Sequence, residues 1–324
     1  MASLRLGTRG SELALWQART VAGRLAALGS NVDLVVVKTR GDRLEDAPLS
    51  EAGGKGLFVK DLEDGLLRGE LDLAVHSAKD LPSRIPQGLV IAAALKREDP
   101  RDALILPAHR RAKGLQKILA DFAGGKRRTI GTSSIRRVAQ VSSLIPGAAF
   151  APVRGNVDTR LRKLDEGQFD ALVLACAGLR RLKLEERISA AIPVDRCIPA
   201  PGQGIVVVEA REGQSAILHT LRQVHDEEAG FALAAERSVV EALGGDCQIP
   251  LGALARLNAG GLEMDAIVCS ADGRQVVQRH SRGSIGNPEA LGRRLADELV
   301  NAGAGRILDE VRRARAGTGH TEGP

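Results

Sequence analysis

A chain of 324 residues is too long for one ordinary hydrophobic core, so two or three domains are expected. Its 44% hydrophobic and 27% charged residues are globular values, and no stretch approaches the ~18 apolar residues of a membrane helix, so no membrane association is expected. A net charge of +6 invites nucleic acid, but aromatic residues make up 2% with no tyrosine, leaving few platforms for stacked bases, and no nucleic-acid partner is expected.

In chain order, residues 4–7 read as a strand, and Ser11 caps a helix to about residue 28 with Leu15, Ala18, Ala22 and Leu25 on one face. A β-branched run over 32–38 is followed by a Gly-rich stretch, a helix over about 57–67, and strands over 71–76 and 89–95. After Asp99-Pro100 the pattern restarts: strand 103–106, helix 115–122, strand 129–131, helix 134–145, strand 149–153, helix 157–164 and an apolar strand over 171–175. Alternating strands and helices with continuous apolar strands argue for mainly parallel sheets covered on both faces. The segment 199–204 (PAPGQG) marks a second boundary and leads into a strand over 205–209. Two helices, to about residue 243, then precede strands over 250–257, 262–269 and 275–279, with Asp272-Gly273 as a hairpin turn, and helices over 289–301 and 305–314. Residues 317–324 lack apolar periodicity and are expected to be disordered.

Cys176, Cys197, Cys247 and Cys269 are scattered without a CxxC pair, and histidine is sparse, so neither a disulfide framework nor a metal site is expected. The N-terminus turns polar within a few residues, unlike a secretory signal, and the chain reads as cytoplasmic.

Chemistry-bearing residues gather at the carboxyl ends of the expected strands: Thr8-Arg9-Gly10-Ser11, His76-Ser77-Ala78-Lys79-Asp80, Thr132-Ser133-Ser134-Ile135-Arg136-Arg137 and Arg154-Gly155-Asn156. Ligands of open parallel sheets bind there. Helix N-termini supply free N–H groups, and arginine supplies a planar fork for carboxylates. One such segment alone reads as a helix cap with a solvated arginine; recurrence at successive strand ends points to a ligand with many carboxylates.

The segments GTRGSELALWQA (7–18), TRGD (39–42), GGKGLFVK (53–60), AVHSAKDLP (74–82), REDPRDA (97–103), GTSSIRR (131–137), VRGNVDTRL (153–161), PAPGQGIVVVEAR (199–211) and GGDCQIPLG (244–252) resemble, in the same order, the motif series of porphobilinogen deaminases. The resemblance runs over residues 4–315, nearly the whole chain. It implies two α/β lobes like those of periplasmic binding proteins forming a cleft, 1–99 with 204–217 and 100–198, plus a smaller α+β domain over 222–316. It also implies a monomer, porphobilinogen as substrate, and a dipyrromethane cofactor held by a thioether to Cys247 of GGDCQIP. A thiolate is the strong soft nucleophile among side chains, and a thioether resists hydrolysis through repeated turnovers. Cys176, Cys197 and Cys269 read as small buried hydrophobes.

The implied chemistry is deamination of porphobilinogen to an electrophilic azafulvene, attack by the terminal pyrrole, four such rounds, and hydrolytic release of hydroxymethylbilane. By motif position Asp80 stabilises the positive charge that builds on the pyrrole as ammonia leaves. Lys79, Asp80, Ser134, Arg136 and Arg137 are expected to hold the cofactor; Arg9, Ser11, Gln17, Arg154, Arg160, Arg181, Thr132, Ser133 and Gln203 are expected to serve substrate and growing chain. Arg160 and Arg181 lie in basic helical stretches where a solvated face is the default. Lys55 and Phe58 fall in a small-residue segment read either as a lid or as a plain loop. Glu12, where relatives often have Pro, and Ala78, where Met is common, remove no polar group from the pattern. A non-catalytic two-lobed anion-binding protein is the alternative; it would not need Cys247 in a third domain.

Overall fold

The computed structural model describes residues 3–38, 59–110, 112–124, 127–244 and 249–318, with side chains to 313. The expected positions Lys55, Phe58 and Cys247 lie outside the described residues.

The first lobe is built from β1 (Leu4–Thr8), α1 (Glu12–Ala27), β2 (Val32–Val36), α2 (Lys60–Leu67), β3 (Leu73–Ser77), a 3-10 turn (Ala78–Asp80) and β4 (Leu89–Ala94). The second lobe holds β5 (Asp102–Ile105), α3 (Leu115–Ala123), β6 (Thr129–Gly131), α4 (Ile135–Leu144), β7 (Ala149–Ala151), α5 (Val157–Asp165), β8 (Ala171–Ala175), α6 (Cys176–Arg181) and β9 (Ala190–Ile192). The chain then crosses back: β10 (Val206–Arg211) lies in the first sheet, whose order is β2-β1-β3-β10-β4. The second sheet has the order β7-β6-β8-β5-β9.

Each sheet is mainly parallel but carries one antiparallel strand, and in each lobe it is the strand that has just crossed from the other. β10 runs antiparallel to β3 and β4, and β5 antiparallel to β8 and β9. This reversal places the first residues of the crossing strands beside the carboxyl ends of their parallel neighbours: Val206 pairs with Ser77, and Asp102 with Ala175. Residues of the crossings therefore reach the ligand side of both sheets. Gly204, at φ +90°, makes the close approach possible, because a Cβ there would collide with the Glu98 carbonyl of the other crossing.

The apolar patterns account for the layers. In the first lobe Ala18, Val21 and Leu25 of α1 bury against Leu6, Leu73, Val75 and Val208, while α2 places Leu62 and Leu66 on the opposite face with Ala74 and Leu89. After α7 (Ser215–Arg222), the third domain comprises α8 (Glu227–Ala242), β11 (Leu251–Asn258), β12 (Gly261–Cys269), β13 (Val276–Gly283), α9 (Pro288–Asn301) and α10 (Ala304–Thr318). Its antiparallel sheet, β11-β12-β13, is covered on one face by the helices through Val239, Leu291, Leu295 and Leu299. The other face meets the second lobe at Ala139, Ile198, Leu254 and Ile267. The last helix reaches Thr318, two residues into the segment expected to be disordered.

The third domain is fastened to the crossings by one carboxylate. Glu236 of α8, fully buried, accepts from Arg97 Nη1 and Nη2 at 2.7 and 2.8 Å, from the Gly202 amide at 2.6 Å and from the Ala255 amide at 2.7 Å. A buried charge is tolerable only when paired and hydrogen-bonded in this way.

Candidate active site

Local hydrogen bonds fix the strand-end segments within each lobe. Ser11 caps α1, its Oγ accepting from the Ala14 amide at 3.3 Å. Gln17, buried on α1, donates to Ser77 Oγ at 2.8 Å and so ties the first helix to the strand end preceding Lys79 and Asp80. In the second lobe Thr132 Oγ1 accepts from the Ser134 amide at 3.2 Å, and Ser134 Oγ accepts from the Arg137 amide at 3.4 Å. Ser133 Oγ donates to the Val153 carbonyl at 2.8 Å and accepts from its amide at 3.1 Å, locking the turn that carries Arg154. Gly155 takes φ +98°, and its carbonyl accepts from Arg160 Nε at 2.7 Å. Thr132 and Ser133 thus act on the backbone of the loops; Arg9 and Arg154 sit half-buried on theirs.

At the centre is a residue the motif reading passed over. Asp102, fully buried at the start of β5, receives Arg136 Nη2 at 2.7 Å, Arg137 Nε and Nη2 at 3.0 and 2.8 Å, and Gln203 Nε2 at 3.0 Å. Burial pushes the Asp102 carboxyl up, but the Arg136 and Arg137 guanidiniums outweigh it and hold it well below the usual carboxylate range. Arg136 also donates to the Ile198 carbonyl at 2.8 Å, and Arg137 to the Val173 carbonyl at 2.9 Å. Gln203 turns its other end to lobe one, where its Oε1 accepts from Lys79 Nζ at 3.4 Å. Lys79, Gln203, Asp102, Arg136 and Arg137 form one continuous network across the crossing.

Beside it, Arg160 lies within electrostatic reach of both Arg137 and Asp80. Burial and then Arg137 push the Arg160 guanidinium down to about 10, and Asp80 opposes them. The first lobe's Asp80 and the second lobe's Arg160 are therefore within electrostatic reach of each other. Arg181 is not on a solvated face: it is 7% exposed, donates from Nη2 to the Gly204 carbonyl at 2.6 Å and lies over the Trp16 ring. Gln203, 1% exposed, is likewise engaged at both ends.

Cations outnumber carboxylates here. Arg160 is depressed by burial and then by the like charge of Arg137, and the buried Nε of Arg136 has no acceptor. Both features are relieved by an anionic ligand, so the residues present fit a group bearing acetate and propionate side chains. The described thiols suit no nucleophilic role: burial pushes Cys176 and Cys197 up to about 12 and Cys269 up to about 11. Among the described residues no His, Cys, Asp and Glu cluster is arranged for a metal, and no helix is long and apolar enough to cross a membrane. The sequence signal for Asp102 was present in REDPRDA, but its partners are 34, 35 and 101 residues distant.

Two family models match the chain. "Porphobilinogen deaminase, dipyromethane cofactor binding domain" covers residues 4–219, and "Porphobilinogen deaminase, C-terminal domain" covers 231–301. A protein of Syntrophomonas wolfei named porphobilinogen deaminase is 45% identical over 315 residues, 97% of this chain and 100% of the relative. One of Desulforudis audaxviator with the same name is 47% identical over 309 residues, 95% and 97% of the two chains. Among solved structures, the periplasmic VFT2 domain of Bordetella pertussis BvgS is similar at 14% identity and a TM-score of 0.41, over 73% of this chain and 92% of that one. Matched from residue 4 through both models, this chain belongs to the porphobilinogen deaminase family.

Proposed function

We propose that this chain condenses porphobilinogen, one unit at a time, in the cleft between its first two lobes, with Asp80 as the catalytic carboxylate. The observation that carries the assignment is the network in which Asp102 holds Arg136 and Arg137, with Asp80 of the first lobe and Arg160 of the second within electrostatic reach of each other beside it. The family's dipyrromethane supplies, when bound, the pyrrole carbon to which the first substrate unit is joined.

The chain's own residues divide the work. Asp80 stands on a turn pinned at both sides, by Gln17 on Ser77 and by the Ala78 amide on the Ile205 carbonyl. A carboxylate so placed accepts a pyrrole N–H hydrogen bond and stabilises the positive charge that develops as ammonia leaves, without reorganisation at that moment. Lys79, Ser134, Arg136 and Arg137 lie on the network side and hold the cofactor's carboxylates. Arg9, Ser11, Gln17, Arg154, Arg160, Arg181, Thr132, Ser133 and Gln203 serve the incoming substrate and the growing chain, directly or by fixing the loops. Each added unit brings two carboxylates, and the surplus of guanidinium groups keeps their burial tolerable.

Cys247 is the attachment point. The position of Cys247 in GGDCQIP carries this role; the buried, raised thiols of the other three cysteines are in keeping with it. We place the enzyme in the cytoplasm as a monomer, a transferase of tetrapyrrole synthesis with no membrane or nucleic-acid partner. The non-catalytic anion-binder reading is not favoured by near full-length relatives named for the deaminase.

The test is the intact mass of the purified protein beside Cys247→Ser. The wild type should exceed its polypeptide mass by two linked pyrroles, and the variant should not. A wild type at bare mass that gains nothing on addition of porphobilinogen would overturn the assignment.

A further inference from the structure

Arg181 is held in a way its expected role as a carboxylate binder does not explain. It closes α6 of the second lobe, yet its guanidinium carbon lies 5.6 Å from the ring centroid of Trp16 on α1 of the first lobe. Its Nη2 donates to the Gly204 carbonyl of the second crossing at 2.6 Å. Among the described residues no carboxylate forms an ion pair with it; Glu98 of the first crossing acts from further off. One buried cation is thus held by an aromatic face, a carbonyl and a distant charge, each from a different segment.

The surroundings bring the two helices together at this point. Leu13, Trp16 and Gln17 are spaced i, i+3, i+4 and so share one side of α1. Gln17 reaches Ser77 at the strand end before Asp80. Leu13 packs toward α6 at Gly178, where an added Cβ would make an ordinary van der Waals contact of 3.7 Å with Leu13 Cδ2. The seat of Arg181 is therefore one residue along the helix from the contact that fixes the Asp80 turn. Attraction between a guanidinium and an indole face strengthens as the pair is withdrawn from water; Arg181 is 7% exposed and Trp16 half-buried.

We propose that Trp16 is a positioning residue that seats Arg181 across the lobe boundary, so that the pair latches the lobes in this arrangement and fixes the arginine at the edge of the cleft. Separation of the lobes draws Arg181 off the ring, because ring and cation belong to different lobes. The kinetic part of the proposal rests on the cleft being the porphobilinogen site; the latch itself does not.

Trp16 is the only tryptophan in the chain, so the protein's tryptophan fluorescence reports the surroundings of this one ring. In the full-length protein without added substrate, Arg181→Gln should shift Trp16 emission to the red and increase its quenching by acrylamide, and Arg181→Lys should fall between that variant and the wild type. Emission and quenching identical in the wild type and both variants would overturn the latch. Porphobilinogen turnover supplies the second arm: Trp16→Leu should raise KM about fivefold with kcat changed less than about twofold, and Trp16→Phe, which keeps a ring face, should stay within about twofold of the wild type on both. Equal KM values for Trp16→Leu and Trp16→Phe would overturn the positioning role. A wild type that fails to condense porphobilinogen would instead strike the functional assignment and leave the fluorescence result standing.

Discussion

Replacing Asp102 with asparagine keeps the shape of the side chain and removes its charge. The carboxylate has two oxygens in use: one takes Arg137 Nε, Arg137 Nη2 and Gln203 Nε2, and the other takes Arg136 Nη2. An amide can reproduce one oxygen and must turn an NH2 group toward the donors at the other. Two guanidiniums, each under 10% exposed, would share no counter-charge. Breaking a buried pair by removing one partner costs about 3–5 kcal/mol. At ~2 °C per kcal/mol for a chain of this size, the unfolding midpoint should fall by about 8 °C at neutral pH. The sign of the pH dependence follows from the carboxyl being held low in the folded state. Its stabilisation is complete above the ordinary aspartate pKa and is lost as pH falls through the folded value, so the gap between wild type and variant should narrow in acid. Thermal melts by circular dichroism at pH 7.5 read the loss, a series carried as far below the ordinary aspartate pKa as the wild type stays folded reads the narrowing, and intact mass reads cofactor loading, which should be lost with the arginines misplaced. A variant melting within about 2 °C of the wild type at pH 7.5 would refute the role of Asp102 as their common anchor.

Glu63 of α2 is 7% exposed, its Oε1 has no hydrogen-bond partner, and burial, then Glu209 and Asp64, push its carboxyl up to about 7 against the opposing charge of Lys60. The folded chain keeps a proton that the unfolded chain releases above about pH 4.5, so wild-type stability should decline between pH 4.5 and 7 by about 2 kcal/mol. Glu63→Gln should flatten that decline in urea unfolding; an unchanged slope would contradict it. Glu236→Gln should cost about 3 kcal/mol, because Arg97 and two backbone amides converge on its carboxylate; a midpoint like that of the wild type would refute the clamp. Arg154→Leu should stall elongation more than cofactor assembly, read as short covalent adducts on a normally loaded enzyme by mass spectrometry. Equal loss of loading and elongation would argue against the division of roles.

Much of the scaffold was legible from the chain alone. Strands buried on both faces, such as Ala171–Ala175, announce themselves as unbroken apolar runs, and Ser11 was readable as the cap that begins α1. The weaker signals failed where burial is one-sided or short. β13 extends to Gly283 rather than stopping at 279, because an exposed edge strand carrying Gln278, Arg279, His280 and Arg282 has no apolar alternation to read. β9, three residues long, gave no pattern at all.

The sequence by itself determined which residue types sit at the strand ends, since a turn between a buried strand and a capped helix fixes them within a few positions. It could not decide how those ends are wired together. Asp102 anchors Arg136 and Arg137, Gln203 is engaged at both ends, and Arg181 is buried on Trp16 rather than solvated, only because two crossings bring distant residues into contact. The crossing strands enter their sheets antiparallel, so their first residues arrive at the carboxyl ends of the parallel strands. Local propensity acts over a few residues, whereas the pairing of buried charges is settled by which segments the sheets bring within ~3 Å of one another.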